Sequence, residues 1–161
     1  MNLIAAVSED WGIGKDNRLL FDIPSDMKFF REKTKGKTVI LGRKNLESFP
    51  GGRPLKNRVN IVLTRDKNFR CDGAVICGGI DELFELGYDM SDAFVIGGEA
   101  VYRQLLRYCD RCYITKVAEK VPCDRYMVNL DELNEWRMTE QSDEQEDNGH
   151  KIQFCTYERV R

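Results

Sequence analysis

Several short, largely apolar runs recur between Leu3 and Ile96, and none of them alternates regularly with polar residues. Such runs are typical of strands covered on both faces of a sheet, because a strand with one wet face would alternate. Helical patterns lie between the runs, and this order of strands and helices indicates a mostly parallel sheet. The runs are Leu3–Val7, Thr38–Leu41, Val59–Leu63, Ala74–Ile76 and Ala93–Ile96, and the helical patterns are Ser25–Lys33, Arg43–Ser48, Ile80–Leu86 and Glu99–Arg107.

The last part of the chain has a different pattern, with alternation and no long helix between the segments. The alternating segments are Cys112–Val117, Trp136–Thr139 and Ile152–Tyr157. Between the last two lies the acidic stretch Glu140–Gly149, which has five acids and no base. Its Asn148-Gly149 pair favours a tight turn. We expect a solvated turn closing an antiparallel hairpin on the sheet edge, and one α/β domain over residues 1–161, because no linker divides the chain.

The size and charge of the chain fit a single globular domain. It has 161 residues, with 25 Lys and Arg against 27 Asp and Glu, and a formal net charge of -2. No apolar run approaches the ~18 residues that span a bilayer. The opening residues have neither the basic start nor the long apolar stretch of a secretion signal. We therefore expect a cytoplasmic protein with no membrane partner.

The cysteine pattern favours thiols over disulfide bonds or a metal site. The chain has six cysteines and no secretion signal, so we expect them to be reduced. Cys109 and Cys112 have the spacing of half a zinc site. There is no second close pair, and the only histidine, His150, is distant in sequence. Ordinary core and surface thiols, with no metal, are the expectation.

Basic residues are concentrated between Arg43 and Arg70, where eight bases face two acids. A nucleic-acid surface is one explanation, but the isoelectric point near 5.6 and the lack of interleaved aromatic residues disfavour it. A small, multiply charged ligand fits better. On charge alone, an ordinary hydrated surface fits equally well.

Glycines follow three of the predicted strands. Gly78-Gly79 and Gly97-Gly98 each lie between an apolar run and a helical pattern, and Gly42 precedes Arg43. In an open parallel sheet these strand ends bind ligands, because glycine lets the backbone approach a phosphate and the next helix offers N–H donors. The dinucleotide pattern G-x-G-x-x-G is absent, and each pair alone could merely end a strand. Their recurrence beside the basic region favours a nucleotide.

One acid lies on an otherwise apolar helix face. Asp26 and Phe30 are four residues apart, and Met27 adjoins them. The carboxylate could therefore point into an apolar pocket, where desolvation would raise its pKa and the nearby helix N-terminus would lower it. An exposed acid at a helix start is the commoner arrangement, and spacing alone favours it.

In order and spacing, a set of short strings resembles the dihydrofolate reductase family. They are Leu3–Ala6, Trp11–Gly14, Ile23–Phe30, Val39–Arg43, Glu47-Ser48, Arg53–Leu55, Asn60–Leu63 and Val95–Gly98, with Tyr102. The resemblance implies a mainly parallel, twisted eight-stranded sheet with helices on both faces and a C-terminal antiparallel hairpin. It also implies NADPH-dependent reduction of 7,8-dihydrofolate to 5,6,7,8-tetrahydrofolate, with hydride transfer to C6 and protonation at N5. We expect a monomer, since no feature demands a partner.

The resemblance assigns substrate-binding positions. Asp26 is similar to the family's pterin-binding acid, which assists protonation, and Thr115 would hydrogen-bond both this acid and the pterin amino group. Arg58 matches the arginine that binds the glutamate tail of folate, a task suited to a planar fork of donors. The substrate-binding set is Ile4, Ala6, Asp26, Met27, Phe30, Phe49, Arg58, Ile96, Tyr102 and Thr115.

The resemblance also implies how NADPH is bound. Arg43, Thr64 and Arg65 match positions that bind the adenosine 2′-phosphate. A loop that includes Asn17 would close over the nicotinamide, and Asp124 would steady it. The cofactor-binding set is Ala6, Ile13, Gly14, Asn17, Leu19, Gly42, Arg43, Lys44, Asn45, Leu63, Thr64, Arg65, Gly78, Gly97, Gly98, Glu99, Ala100 and Val101.

Four positions depart from the family pattern. Leu20-Phe21 stands where Pro-Trp is common, Asn45 replaces a usual Thr, and Ala100 replaces a frequent phosphate-binding Arg. Phe21 lacks the indole N–H that often holds a pocket water, so we expect altered water organisation and antifolate affinity. The strictness of NADPH over NADH stays open because of Ala100.

Two alternatives remain open. The first is another reductase of the same fold, acting on a pterin or on a pyrimidine of riboflavin synthesis. The second is a non-catalytic nucleotide- or metal-binding module that uses the basic region or Cys109 and Cys112.

Overall fold

A computed structural model describes residues 1–160, which form one α/β domain around a large mixed sheet. The strands are β1 (Asn2–Val7), β2 (Gly12–Lys15), β3 (Arg18–Leu19), β4 (Thr38–Gly42), β5 (Val59–Leu63), β6 (Ala74–Cys77), β7 (Phe94–Gly97), β8 (Arg111–Val117), β9 (Arg125–Tyr126), β10 (Trp136–Gln141), β11 (Gln145–Asp147) and β12 (His150–Arg159). The large sheet has the spatial order β10-β12-β8-β1-β7-β4-β5-β6, and β11 adds to β12.

The central strands of this sheet are parallel. β1 pairs with β7 and β8, β4 pairs with β5 and β7, and β5 pairs with β6. β12 is antiparallel to both β8 and β10. The predicted fold, a mostly parallel sheet with a C-terminal antiparallel hairpin, is confirmed.

Helices connect the parallel strands. They are α1 (Pro24–Thr34), α2 (Arg43–Glu47), α3 (Ile80–Glu85) and α4 (Glu99–Leu105), and short 3-10 turns follow at Pro50–Gly52, Leu106–Tyr108 and Leu130–Glu132. α4 ends two residues before the predicted boundary because the chain tightens into the second of these turns. None of the helices in residues 1–160 is both long and apolar enough to cross a bilayer.

Apolar cores cover both faces of the sheet, and neighbouring residues of a strand contribute to opposite faces. On one face, Leu3 and Ile40 pack with Leu105 of α4. On the other face, Ile4 and Val39 belong to a cluster against which Phe29 and Phe30 of α1 pack. This two-sided burial explains why the strands are apolar runs without alternation.

The sequence patterns did not predict four short strands, β2, β3, β9 and β11. β2, β3 and β9 form a separate antiparallel sheet, and strands this short carry too little periodicity to be recognised. β11 lies inside the acidic stretch, which we expected to be only a solvated turn. The tight turn itself lies at Asn148 and Gly149, whose φ angles are 52° and 80°, as a two-residue hairpin turn requires.

Gly12 in β2 lies against the segment that leads into β9. A Cβ atom at this position would lie 2.4 Å from Cys123 Sγ and 2.9 Å from Ser8 Oγ. The Gly12 amide donates a hydrogen bond to the same Ser8 hydroxyl at 2.9 Å. The absence of a side chain at Gly12 therefore allows β2 to pack closely against Cys123 and against Ser8 in the turn that follows β1.

We expect Gly12→Ala to destabilise the fold by about 1–3 kcal/mol, because overpacking forces the backbone of β2 or the Cys123 side chain to move. Urea denaturation measures this loss. Adding Cys123→Ala removes the nearest sulfur and should recover part of the stability, and a double variant no more stable than Gly12→Ala would contradict this explanation.

Candidate active site

Asp26 lies in the first turn of α1, whose first residue is Pro24. Its carboxylate is half-buried, and Oδ1 accepts a hydrogen bond of 2.6 Å from the Thr115 hydroxyl on β8. Burial raises the pKa of Asp26, while the hydrogen bond from Thr115 lowers it. Burial has the larger effect, so the pKa is raised from its ordinary value of 3.8. The exposed acid that spacing alone favoured is therefore not what the structure contains.

Asp26 lies close to the centre of the parallel sheet. Thr115 pairs with Ala6 in the register of β8 and β1. The Tyr102 hydroxyl of α4 donates a hydrogen bond of 2.7 Å to the Ile4 carbonyl, also on β1. The pKa of Tyr102 is raised, first by burial and then by the negative charge of Asp26. Helix α1, β1 and α4 thus converge around one carboxylate.

The predicted apolar pocket residues mostly belong to one cluster. Ile4 and Ile96 are buried in it, and Phe30 and Phe49 pack against it. Met27 is exposed over 37 % of its surface. These side chains form an apolar surface beside α1, except for Met27, which faces solvent.

Arg58 lies near the other end of α1. Its Nε donates a hydrogen bond of 2.9 Å to Thr34 Oγ1, and Nη1 donates one of 2.9 Å to the Lys56 carbonyl. Burial and the positive charge of Arg31 both lower the pKa of Arg58. Two cations that repel each other in this way would both be stabilised by an anion placed between them.

A cavity of about 980 Å³ lies at the carboxyl ends of β4, β5 and β6 and the start of α4. All of the residues predicted to bind the cofactor line it, except Ala6 and Gly97. Gly97 ends β7, and a Cβ atom there would lie 2.9 Å from Asn45 Nδ2 and 3.5 Å from the Tyr102 hydroxyl. Gly97 therefore lies between Asn45, which lines the cavity, and Tyr102, which is close enough to Asp26 to be affected by its charge.

Cations and acids both line this cavity. Arg43 Nη1 lies 3.3 Å from Asp66 Oδ2, and Arg43 Nε lies 3.5 Å from Glu47 Oε1. Arg65 is exposed at the rim. The guanidinium of Arg43 is thus oriented by two carboxylates and remains within reach of solvent, where a phosphate could bind it.

The small sheet provides another wall of the cavity. Asn17 Nδ2 donates a hydrogen bond of 3.2 Å to the Lys44 carbonyl. Asp124 Oδ2 accepts one of 3.1 Å from the Asp16 amide, and the Asp124 amide donates one of 3.0 Å to the Gly14 carbonyl. Asp124 therefore contacts the loop that it was expected to steady.

Several residues that line the cavity were not predicted. They are Lys15, Arg18, Ser48, Asp66, Gly79, Ile80, Asp81, Gln104 and Arg125. Gly79 and Asp81 follow the glycine signal directly and could have been found from it. Arg125 could not, because it reaches the cavity only through the pairing of β9 with β2.

Phe21 and Asn45, which depart from the family pattern, each contact a neighbouring residue, and Ala100 lines the cavity. Phe21 packs edge-on against the His150 ring, with 5.3 Å between centroids. Asn45 Nδ2 donates a hydrogen bond of 3.2 Å to the Ile96 carbonyl. Ala100 lines the cavity and offers it no charge.

The cysteines are free thiols, and Cys109 and Cys112 are buried. Burial raises the pKa of Cys109 to about 12 and raises that of Cys112 well above its usual range. Within residues 1–160, no group of three or more His, Cys, Asp and Glu side chains is arranged to hold a metal ion.

Known proteins resemble this chain along its whole length. The family model described as dihydrofolate reductase matches residues 1–159. A dihydrofolate reductase of Staphylococcus haemolyticus is 38 % identical, and the alignment covers 100 % of this chain and 96 % of that protein. One of Bacillus subtilis is 35 % identical, with 99 % and 94 % covered.

A solved structure is similar as well. Dihydrofolate reductase from Enterococcus faecalis, complexed with NADP(H) and RAB-propyl, superposes with a TM-score of 0.87. It is 32 % identical in sequence, and the match covers 99 % of this chain and 96 % of that one. The chain belongs to the dihydrofolate reductase family, whose members are NADPH-dependent oxidoreductases.

Proposed function

We propose that this protein reduces 7,8-dihydrofolate to 5,6,7,8-tetrahydrofolate, with Asp26 assisting protonation of N5. The observation that carries the proposal is the half-buried Asp26 carboxylate, which Thr115 hydrogen-bonds at 2.6 Å. Tyr102 and Gly97 connect its surroundings to the large cavity. The end of β7 lies between this acid and a cavity large enough for a cofactor. This arrangement suits hydride transfer from a nucleotide cofactor to a ring substrate.

Asp26 has the chemistry that this role requires. A pterin ring presents an amino group and a ring nitrogen side by side, and a carboxylate can accept hydrogen bonds from both. Because burial raises the pKa of Asp26, more of the protonated form is available near neutral pH than an exposed acid would offer. Thr115 fixes one carboxylate oxygen and so leaves the other for the ring or its proton.

The cavity residues fit NADPH. Gly42, Gly78 and Gly98 present backbone without side chains at three strand ends, where a pyrophosphate can approach closely. Arg43 and Arg65 are the cations suited to the adenosine 2′-phosphate. When bound, NADPH supplies the hydride that C6 of the substrate accepts. The residues of this chain orient the two reactants and exclude water between them.

Arg58 favours folate over a pterin without a tail. Its guanidinium is half-buried, and the positive charge of Arg31 lies nearby. A carboxylate of the glutamate tail would relieve this repulsion and accept two parallel hydrogen bonds. A small pterin or pyrimidine substrate would leave both cations unpaired.

The decisive experiment follows NADPH absorbance with dihydrofolate, with dihydrobiopterin, and with dihydrofolate plus methotrexate. We expect oxidation that depends on dihydrofolate and is blocked by methotrexate, and a lower kcat/KM for dihydrobiopterin. A preference for dihydrobiopterin would support the other reductase. Stoichiometric zinc binding without NADPH oxidation would support the non-catalytic module.

Asp26→Asn tests the acid. At pH 7 we expect kcat to fall by about 100-fold or more, because the amide cannot supply the proton. Activity should recover partly in acid, where the substrate is itself protonated. A pH profile of kcat measures both effects, and an unchanged rate at pH 7 would remove Asp26 from the mechanism.

Thermal unfolding of the same variant controls for its fold. Because burial raises the pKa of Asp26 above 3.8, the stability of the wild type falls as pH rises from 3.8 through the folded-state value. Asp26→Asn lacks this loss. It should therefore unfold at a higher temperature than the wild type at pH 7, with the difference shrinking below pH 4. A variant less stable than wild type at pH 7 would mean that its activity loss reflects a damaged fold.

Replacing both Arg43 and Arg65 with Ala tests the phosphate site. We expect NADPH affinity to fall by about ten- to hundredfold and NADH affinity to change little, because charge-assisted hydrogen bonds to the 2′-phosphate are lost. Calorimetric binding of 2′,5′-ADP and of 5′-AMP provides a readout independent of turnover. Arg70→Ala, which removes a nearby exposed charge outside the cavity lining, is the matched control. Equal losses for both nucleotides would contradict the assignment.

A further inference from the structure

Helix α1 begins without a capping side chain of its own. Ile23 is at the N-cap position and makes no side-chain cap hydrogen bond, and Pro24 has no N–H to satisfy. The amides of Asp26 and Met27 donate to the Ile23 carbonyl, each at 3.0 Å. The Ser25 amide is the donor of the first turn that needs an acceptor from elsewhere.

That acceptor comes from the far end of the chain. Asp147, the last residue of β11, accepts a hydrogen bond of 2.7 Å from the Ser25 amide through Oδ2. Hydrogen bonding to Ser25 lowers the pKa of Asp147, so its side chain is an anion at neutral pH. An anion at a helix N-terminus is also favoured by the helix dipole. Asp147 therefore caps α1 although the two residues are 122 positions apart.

The turn that carries Asp147 is attached to the same entry segment by further contacts. Asn148 Nδ2 donates a hydrogen bond of 2.7 Å to the Asp22 carbonyl. His150, which pairs with Asp147 across the turn, packs against Phe21, and its ring Nδ1 contacts Glu119 Oε2. The titratable groups near Asp147 are thus His150 on β12 and Glu119, which contacts His150. Ser25 contacts Asp147 from α1.

We propose that Asp147 is a positioning residue for Asp26, an inference that rests on the proposed function. Ser25 directly precedes Asp26. Asp147 therefore holds the backbone next to Asp26, while Thr115 holds the Asp26 carboxylate. Without the cap, the first turn of α1 frays and the Asp26 carboxylate gains access to water. Since burial is what raises its pKa, greater exposure lowers that pKa toward the ordinary value.

The test compares Asp147→Ala with Asp147→Asn in pH profiles of kcat for dihydrofolate reduction. Asp147→Ala removes the acceptor, so the pH above which kcat falls should shift downward, and kcat above that pH should decrease by about two- to tenfold. Asp147→Asn keeps an acceptor oxygen without the charge and should retain the wild-type profile. This pair separates the hydrogen bond from the effect of removing a negative charge.

Further readouts keep the result unambiguous. Asp147→Ser, whose shorter side chain cannot reach the Ser25 amide, should repeat the shift. Glu146→Ala, which removes an exposed acid from the same strand, should not. Hydrogen exchange of the Ser25 amide should accelerate in Asp147→Ala and Asp147→Ser alone, since both lose the acceptor.

The two proposals fail in different ways. Asp147→Ala or Asp147→Ser could lower kcat by the same factor at every pH and leave the midpoint of the pH profile unchanged. That result would give Asp147 a purely structural role and overturn the inference. So would a shift as large in Asp147→Asn, because charge would then explain it. A wild-type protein that does not reduce dihydrofolate would overturn the proposed function instead.

Discussion

The hydrogen bond from Thr115 to Asp26 is the contact on which the candidate site depends. It joins the first turn of α1 to β8, a strand in the middle of the sheet order. Thr115 is 1 % exposed, so its hydroxyl is fixed by its surroundings, whereas Asp26 is only half-buried. The carboxylate is therefore desolvated enough for its pKa to rise and still accessible to a ligand. A fully buried acid would be costly to ionise, and a fully exposed one would titrate in its ordinary range.

The central sheet could be predicted from sequence because its strands are buried on both faces. The run Val39–Leu41 is fully buried, and so is Ile61 on the neighbouring strand, so each of these positions favours an apolar residue. β11 gave no such signal. Its stability comes from backbone pairing with β12, and its exposed Glu146 is what a solvated turn would also contain. Composition cannot distinguish an exposed edge strand from a turn, because the two expose the same side chains.

The glycine positions of the candidate site were predictable for a related reason. Strand, glycine pair and helix follow one another in sequence, so the signal at Gly78 and Gly98 is local. Asp66 and Asp147 act on Arg43 and Ser25 through contacts that depend on how separate segments pack. Asp147 in particular belongs to a run of acids that look equivalent in sequence. Only the register of β11 and β12 brings this one, and not Glu146, to the start of α1.

Helix α1 also connects the surroundings of the two charges, Asp26 and Arg58. Asp26 lies in its first turn, and Thr34, its last residue, accepts the hydrogen bond from Arg58. These two helix positions are eight residues apart, which at ~1.5 Å per residue is about 12 Å along the axis. Thr115 and Asp147 contact residues at the first end of the helix and Arg58 contacts its last residue, so the acid and the cation lie near opposite ends of α1. In the proposed function, a ring at Asp26 would need a tail of about this length to contact Arg58, which a folate has and a pterin without a tail lacks.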